Sequence, residues 1–205
     1  MKQNIHENLE VKIYPATAER WKDLEALFGP NGAYSGCSCW CMFWRLKRAD
    51  FDMMKGEGRK TLLKNLTSNN QVPGLLAYIG DQPIGWCSIG PREDFGSLER
   101  SRTLKRIDTT PVWSIVCFFV AKPYRNKGIL SKLLHGAVEY AEQKGAQVIE
   151  GYPIDMQTHK LSGQTLKGYS GYMGIASVFT AAGFVKVAEA NETQLIMRYT
   201  VKNKE

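Results

Sequence analysis

A continuous apolar strand, a short basic turn and an amphipathic helix follow one another within residues 112–144, and this unit constrains the fold more than any other stretch of the 205-residue chain. The strand reads Val112-Trp113-Ser114-Ile115-Val116-Cys117-Phe118-Phe119-Val120. It is too apolar for a strand with one face in water and short enough to lie in the middle of a sheet. The turn is Pro123-Tyr124-Arg125-Asn126-Lys127-Gly128. Helical spacing then puts Leu130, Leu133, Leu134, Ala137, Val138 and Ala141 on one stripe, with Ser131, Lys132, His135, Glu139 and Glu142 on the other. The first turn of that helix offers unpaired N–H groups and the positive end of a dipole, bracketed by Arg125, Lys127 and Lys132. Such a terminus predicts an anion site, with phosphate the leading candidate. Gly128 lets a bulky diphosphate approach the main chain without meeting a Cβ. No Gly-x-x-x-x-Gly-Lys-Ser/Thr run occurs, so the turn is not a nucleoside-triphosphate loop of that kind.

The remaining pattern predicts a strand over 11–15, then a helix over 18–28 capped by Thr17. A second helix falls near 58–66. Residues 74–79 and 84–89 form a hairpin across Gly80-Asp81-Gln82-Pro83. Residues 147–153 form a strand, and 174–182 a short helix ending at Gly183-Phe184. An antiparallel pair over 185–201 turns around Asn191-Glu192. One helix between the 112–120 and 147–153 strands implies a parallel, right-handed crossover. The fold class is α/β (α+β), a mixed and mostly antiparallel sheet flanked by helices.

An Arg or Gln, two residues, Gly, one residue, then Gly or Ala, opening a helix after an apolar strand, is the acyl-coenzyme A signature of the GNAT N-acetyltransferases. Arg125-Asn126-Lys127-Gly128-Ile129-Leu130 resembles it, with Leu130 departing at the last position. The order of elements from about residue 11 to 201 is similar to that family throughout. The runs Cys39-Trp40-Cys41-Met42-Phe43-Trp44-Arg45, Gly85-Trp86-Cys87-Ser88-Ile89-Gly90-Pro91-Arg92 and Val148-Ile149-Glu150-Gly151-Tyr152-Pro153-Ile154-Asp155 resemble one bacterial subgroup of it. The resemblance implies acetyl-CoA as cosubstrate and a sheet splayed between its two central parallel strands to admit the pantetheine arm. It also implies that main-chain groups of Phe118, Phe119 and Val120 hold the arm, with the Val120 amide polarising the thioester carbonyl. The amides of Arg125, Asn126, Lys127, Gly128, Ile129 and Leu130 would take the phosphates.

Acid and base are less regular. The glutamate that one branch of the family carries six residues before the Val120 position is Ser114 here, which cannot serve as a base. Glu150, inside the apolar strand 148–153, is the candidate general base, since partial burial would raise its proton affinity. Its other reading is a glutamate paired with a Lys or Arg at the core edge. Many relatives place a tyrosine acid four residues before the Gly-Phe pair, and that residue is Phe179. The thiolate then leaves unassisted, or Ser177, Tyr169 or Tyr172 substitutes. The acceptor pocket is expected around Trp40, Phe43, Trp44, Arg45, Trp86 and Arg92. There aromatic walls and two guanidiniums would hold a cation or clamp a carboxylate or phosphate. The competing reading makes the tryptophans core and the arginines their cover.

The charge balance of 27 Lys and Arg against 20 Asp and Glu, net +7, is scattered rather than patched. It suits a polyanionic cosubstrate better than a nucleic acid. Five cysteines, an odd number, read as thiols, and the Cys37/Cys39/Cys41 spacing does not match a structural zinc knuckle, so no metal is expected. The polar start and the lack of a long apolar run point to a cytoplasmic protein with no membrane partner. The domain expectation is a single unit over 1–205, with tails at 1–9 and 202–205 and a loop insertion at 156–172. Two functions remain in view: transfer of an acetyl group to a primary amine of a small molecule, peptide or protein, or non-catalytic binding of an acyl-CoA. A homodimer is left open.

Overall fold

The computed structural model describes residues 10–30, 32, 39–166 and 170–202. In chain order the elements are β1 (Val11–Pro15), α1 (Trp21–Phe28), α2 (Arg48–Met53), α3 (Gly56–Ser68), β2 (Gly74–Ile79), β3 (Gln82–Pro91), α4 (Gly96–Glu99), β4 (Trp113–Val120), α5 (Ile129–Gln143), β5 (Val148–Gly151), α6 (Ala176–Ala181), β6 (Val185–Asn191) and β7 (Gln194–Thr200). The strands form one sheet in the order β1-β2-β3-β4-β5-β7-β6. Every neighbouring pair in it is antiparallel except β4 and β5.

Period-two alternation divides the core between the two faces of this sheet. On β2, Leu75 and Ala77 point to the face covered by α5, while Leu76 and Tyr78 point to the face covered by α1 and α3. The predicted stripe of α5 is buried as expected, with Leu133, Leu134, Ala137 and Ala141 sealed against the sheet. Gly136 is part of that contact, since a Cβ there would lie 2.7 Å from Ile13. The six middle residues of β4 are buried, as a strand covered on both faces requires.

Two irregularities in the centre position the site. Ser88 pairs with Cys117 while Ile89 pairs with Ile115, so Val116 is an extra residue on β4. This bulge turns the side chains of Val116 and Cys117 to the same face, and Phe118 then points to the other. The second irregularity lies across the parallel pair. β4 and β5 are joined only at Trp113↔Ile149, Ser114↔Glu150 and Ile115↔Gly151. Beyond Ile115 the strands part, and the far half of β4 has no ladder to β5.

Several predicted boundaries shift. The 18–28 helix opens as a tight 3-10 turn at Ala18–Arg20 before α1 begins. Thr17 is extended and its side chain makes no capping bond; its hydroxyl is buried without a partner among the described residues. The short helices α2 and α4 add to the elements expected from the pattern. The hairpin turn narrows to Gly80-Asp81, because Ile79 already pairs with Gln82, and Gly80 supplies the left-handed backbone with φ 56°. The expected tails at 1–9 and 202–205 lie outside the described residues apart from Lys202, and so do Cys37 and Tyr169.

Candidate active site

The end of β4 leads through a second 3-10 turn at Lys122–Tyr124 into the loop before α5. Two residues of that loop adopt left-handed backbone, Asn126 at φ 59° and Gly128 at φ 75°. Asparagine and glycine are the residues that tolerate this region best. Alternating hand turns successive N–H groups toward one concavity, an anion-binding arrangement that joins the start of a 15-residue helix. Arg125 braces the loop by donating from Nε to the Val120 carbonyl at 2.9 Å.

A cleft of about 610 Å³ runs along this loop. Of the residues expected to hold a cosubstrate, Phe118, Val120, Arg125, Asn126, Gly128, Ile129 and Leu130 line it. Lys127 does not; it is exposed, with its ammonium 5.8 Å from the Tyr124 ring. Phe119 does not either: its side chain joins the core on the α1 face, and it pairs with Trp86 of β3. The opposite wall comes from Met156, Gln164, Thr165, Leu166 and Gly171 of the expected insertion, and from Ile175 and Val178 at α6.

Backbone direction on β4 is fixed by two bonds. The Phe118 amide donates to the Tyr172 carbonyl at 2.6 Å, away from β3, whereas the Ala121 amide donates to Ile84 of β3 at 2.9 Å. Alternation therefore aims the Val120 amide into the splay, on the same side as Phe118.

At the closed end of the splay lies a buried polar cluster with Glu150, the candidate base, at its centre. Glu150 is 1% exposed and both its oxygens are taken. Oε1 accepts from Arg92 Nη1 and from the Tyr152 hydroxyl, each at 2.8 Å, and Oε2 accepts from Arg198 Nε at 2.8 Å. Of the two readings of Glu150, a general base or a glutamate paired with a basic residue, the contacts match the pairing: two guanidiniums hold it in a buried ion cluster. Burial and the Glu150 carboxylate push the Tyr152 phenol well above its usual range, so it stays a hydroxyl. Ser114 Oγ lies 2.8 Å from that hydroxyl.

Arg92, expected to contact the acceptor, is the hub of this cluster. Its remaining donors reach Glu99 Oε1 at 2.6 Å and the Leu104 carbonyl at 2.5 Å. With 1% exposure it has nothing left for a ligand. The other acceptor candidates are corrected in the same sense. Trp86 and Trp40 are core residues, Trp86 edge-on to Phe28 and Trp40 stacked on Trp21. Trp44 is half-buried and edge-on to Phe43. The guanidinium of Arg45 lies 4.5 Å from the Phe95 ring centre with Asp94 3.6 Å from Nη1. A tryptophan that fills a core and one that walls a pocket look alike in sequence. Of the candidate proton donors, Ser177 is exposed on α6 and Tyr172 is half-buried, while Phe179, in the place of the usual tyrosine, is fully buried.

Arg198 extends the cluster to the surface, where its Nη1 lies 2.6 Å from Asp108 Oδ2. That guanidinium, with the Thr110 amide, holds the Asp108 carboxyl well below the usual carboxylate range. A carboxyl so depressed in the folded state adds stability above its unfolded value, near pH 4, and loses it as pH falls further. Asp108→Asn is thus expected to lower the urea midpoint at pH 7, with the gap to the parent chain closing below about pH 4. A gap independent of pH would contradict this.

The site is a cleft between the left-handed loop at the start of α5 and a splayed parallel pair in a mixed sheet. The family model described as the acetyltransferase (GNAT) family matches residues 40–158. The chain belongs to the GNAT acetyltransferases. Among solved structures, it is similar to an acetyltransferase of the GNAT family from Streptococcus pneumoniae, at 16% identity and TM-score 0.50, covering 94% of this chain and 100% of that one. It is also similar to a ribosomal-protein-alanine N-acetyltransferase from Brucella melitensis, at 18% identity and TM-score 0.51, covering 93% and 99%. At such identities the likeness is one of fold. No relative among curated proteins matches. No group of three metal-ligating side chains occurs among the described residues, and no helix there is long and apolar enough to cross a membrane.

Proposed function

We propose that the chain transfers the acetyl group of acetyl-CoA to a primary amine of a small molecule, peptide or protein, by direct attack in a ternary complex. The observation that carries this is the cleft shared by the left-handed Asn126–Gly128 loop and the splay of β4 from β5. The residues fit the cosubstrate: a Cβ at Gly128 would meet no atom within 4 Å, so the main chain there is open to a large approaching group. Amides from Asn126 to Leu130 take the diphosphate, and Arg125 keeps the loop in place through Val120. Bound acetyl-CoA supplies an activated thioester. The Val120 amide, aimed into the splay, donates to its carbonyl oxygen as negative charge develops there.

Proton handling follows from what is committed elsewhere. Glu150 is held by Arg92 and Arg198, and Phe179 has no proton to give. The acceptor amine therefore reacts as its free base, its proton passing to water, and the thiolate departs without a side-chain acid. Thiol groups at all four described cysteines support a cytoplasmic setting.

Calorimetric titration with coenzyme A, followed by thiol release from acetyl-CoA against an amine panel, tests the reading. Micromolar binding with acceptor-dependent thiol release is expected. Binding without release against any amine favours a non-catalytic binder, and no binding at low ionic strength removes both.

A further inference from the structure

The geometry points to a redox modification site at the β4 bulge, one residue before cleft-lining Phe118: peroxide joins Cys41 and Cys117 in a disulfide. The two sulfurs lie 3.8 Å apart although the residues are 76 positions apart in the chain. No element of the acetyl-transfer scheme uses either thiol. Both are buried, at 5% and 7% exposure, which excludes a bulky disulfide and leaves a molecule the size of peroxide as the oxidant.

Each thiol sits on irregular backbone. Cys41 belongs to a turn in which two consecutive non-glycine residues, Trp40 at φ 38° and Cys41 at φ 51°, are left-handed. Strained turns of this kind are held by their surroundings and shift when those change. Cys117 is the second residue of the β4 bulge and lies directly before Phe118, whose amide faces the splay. A disulfide requires the sulfurs to close to about 2.05 Å. The turn and the bulge must therefore approach by roughly 3.8 − 2.05, or about 1.8 Å, shared between rotamer and backbone changes. Burial and the neighbouring thiols of Cys117 and Cys39 hold the Cys41 proton tightly, which makes the reaction slow and peroxide-dependent rather than spontaneous.

The chemistry balances. One thiol attacks hydrogen peroxide, the O–O bond breaks, and a sulfenic acid and one water result. The second thiol attacks the sulfenic sulfur; the S–S bond forms and hydroxide leaves with the thiol proton as a second water. Two thiols are oxidised and one peroxide is reduced. Because the bond would move the bulge that aims the amides of Phe118 and Val120, oxidation is expected to lower acetyl transfer at least fivefold, reversibly with a dithiol reductant.

The test treats the 205-residue chain with hydrogen peroxide, blocks remaining thiols with an alkylating agent under denaturing conditions, and maps peptides without reduction. A Cys41–Cys117 peptide two hydrogens lighter than its parts, absent after reduction, is expected. Cys41→Ser and Cys117→Ala should each abolish it. If either variant fails to fold, the peptide map of the parent chain decides alone. A link between any other pair, oxidation to sulfinic acid without a link, or a full count of alkylated thiols overturns the proposal. This readout is independent of whether acetyl transfer itself is observed.

Discussion

Glu150→Ala is expected to cost about 3–5 kcal/mol of folding stability. The carboxylate is 1% exposed and bonded to two guanidiniums, one of which, Arg92, is equally buried. Removing it leaves Arg92 to Glu99, at 2.6 Å, and strands the Tyr152 hydroxyl beside an undercompensated cation. Desolvating a charge is tolerated only while its partner is present, and the loss is a large part of the roughly 5–15 kcal/mol that a domain possesses. Urea denaturation measures it. Glu150→Gln separates this structural role from general-base catalysis. The substitution keeps the shape and one acceptor oxygen, so a folded Glu150→Gln variant that still turns over points to ion pairing. A variant that is equally stable but inactive restores the carboxylate to the chemistry, and an Ala variant as stable as the parent removes the ion-cluster argument.

Gly128→Val is expected to weaken coenzyme A binding about a hundredfold, or about 2.7 kcal/mol, beyond the folding stability that its backbone strain costs. Gly128 sits at φ 75°, where an L side chain is strained by about 1–2 kcal/mol and a β-branched one by more. The loop can relieve that strain by turning the peptide, which rotates the amides away from their common point. No atom lies within 4 Å of the position of a new Cβ, so the resistance comes from the backbone torsions and not from a clash. In the proposed complex the diphosphate takes the space that the side chain would occupy. Lys127→Ala should do less, because the exposed ammonium acts through a salt-screened field. Calorimetry at low ionic strength, with thermal midpoints for the same variants, measures both effects. Unchanged affinity in Gly128→Val would mean that the helix start does not hold the cosubstrate.

The parts read correctly from sequence depend on short-range physics. Continuous apolar residues at 113–120 identify a doubly covered strand, and 3.6-residue spacing identifies α5. Glycine before the helix is read as a backbone position, and the structure gives it left-handed torsions. The misreadings are long-range. Glu150 looks like an isolated carboxylate in sequence because its partners lie 58 residues earlier, at Arg92, and 48 later, at Arg198. Arg92 looks like a ligand contact because nothing local shows that its donors close on Glu99 and on the Leu104 carbonyl. The tryptophans at 40 and 86 carry the same signal whether they wall a pocket or fill a core. α2 escapes detection because six residues with one buried side chain, Phe51, carry too little periodicity to register. The Cys41–Cys117 approach has no sequence signature at all, since it depends on a bulge meeting a strained turn.

The three ladder pairs between β4 and β5 leave the sheet as two blades joined over a short seam, with an open fissure beyond Ile115 and Gly151. Load at the tip of such a fissure falls on whatever spans it next. On the open side that is the bond from the Phe118 amide to the Tyr172 carbonyl, and the seam itself carries a rivet of charges, with Arg92 on one blade and Glu150 and Arg198 on the other. Extending the fissure back through the seam would therefore mean separating buried opposite charges.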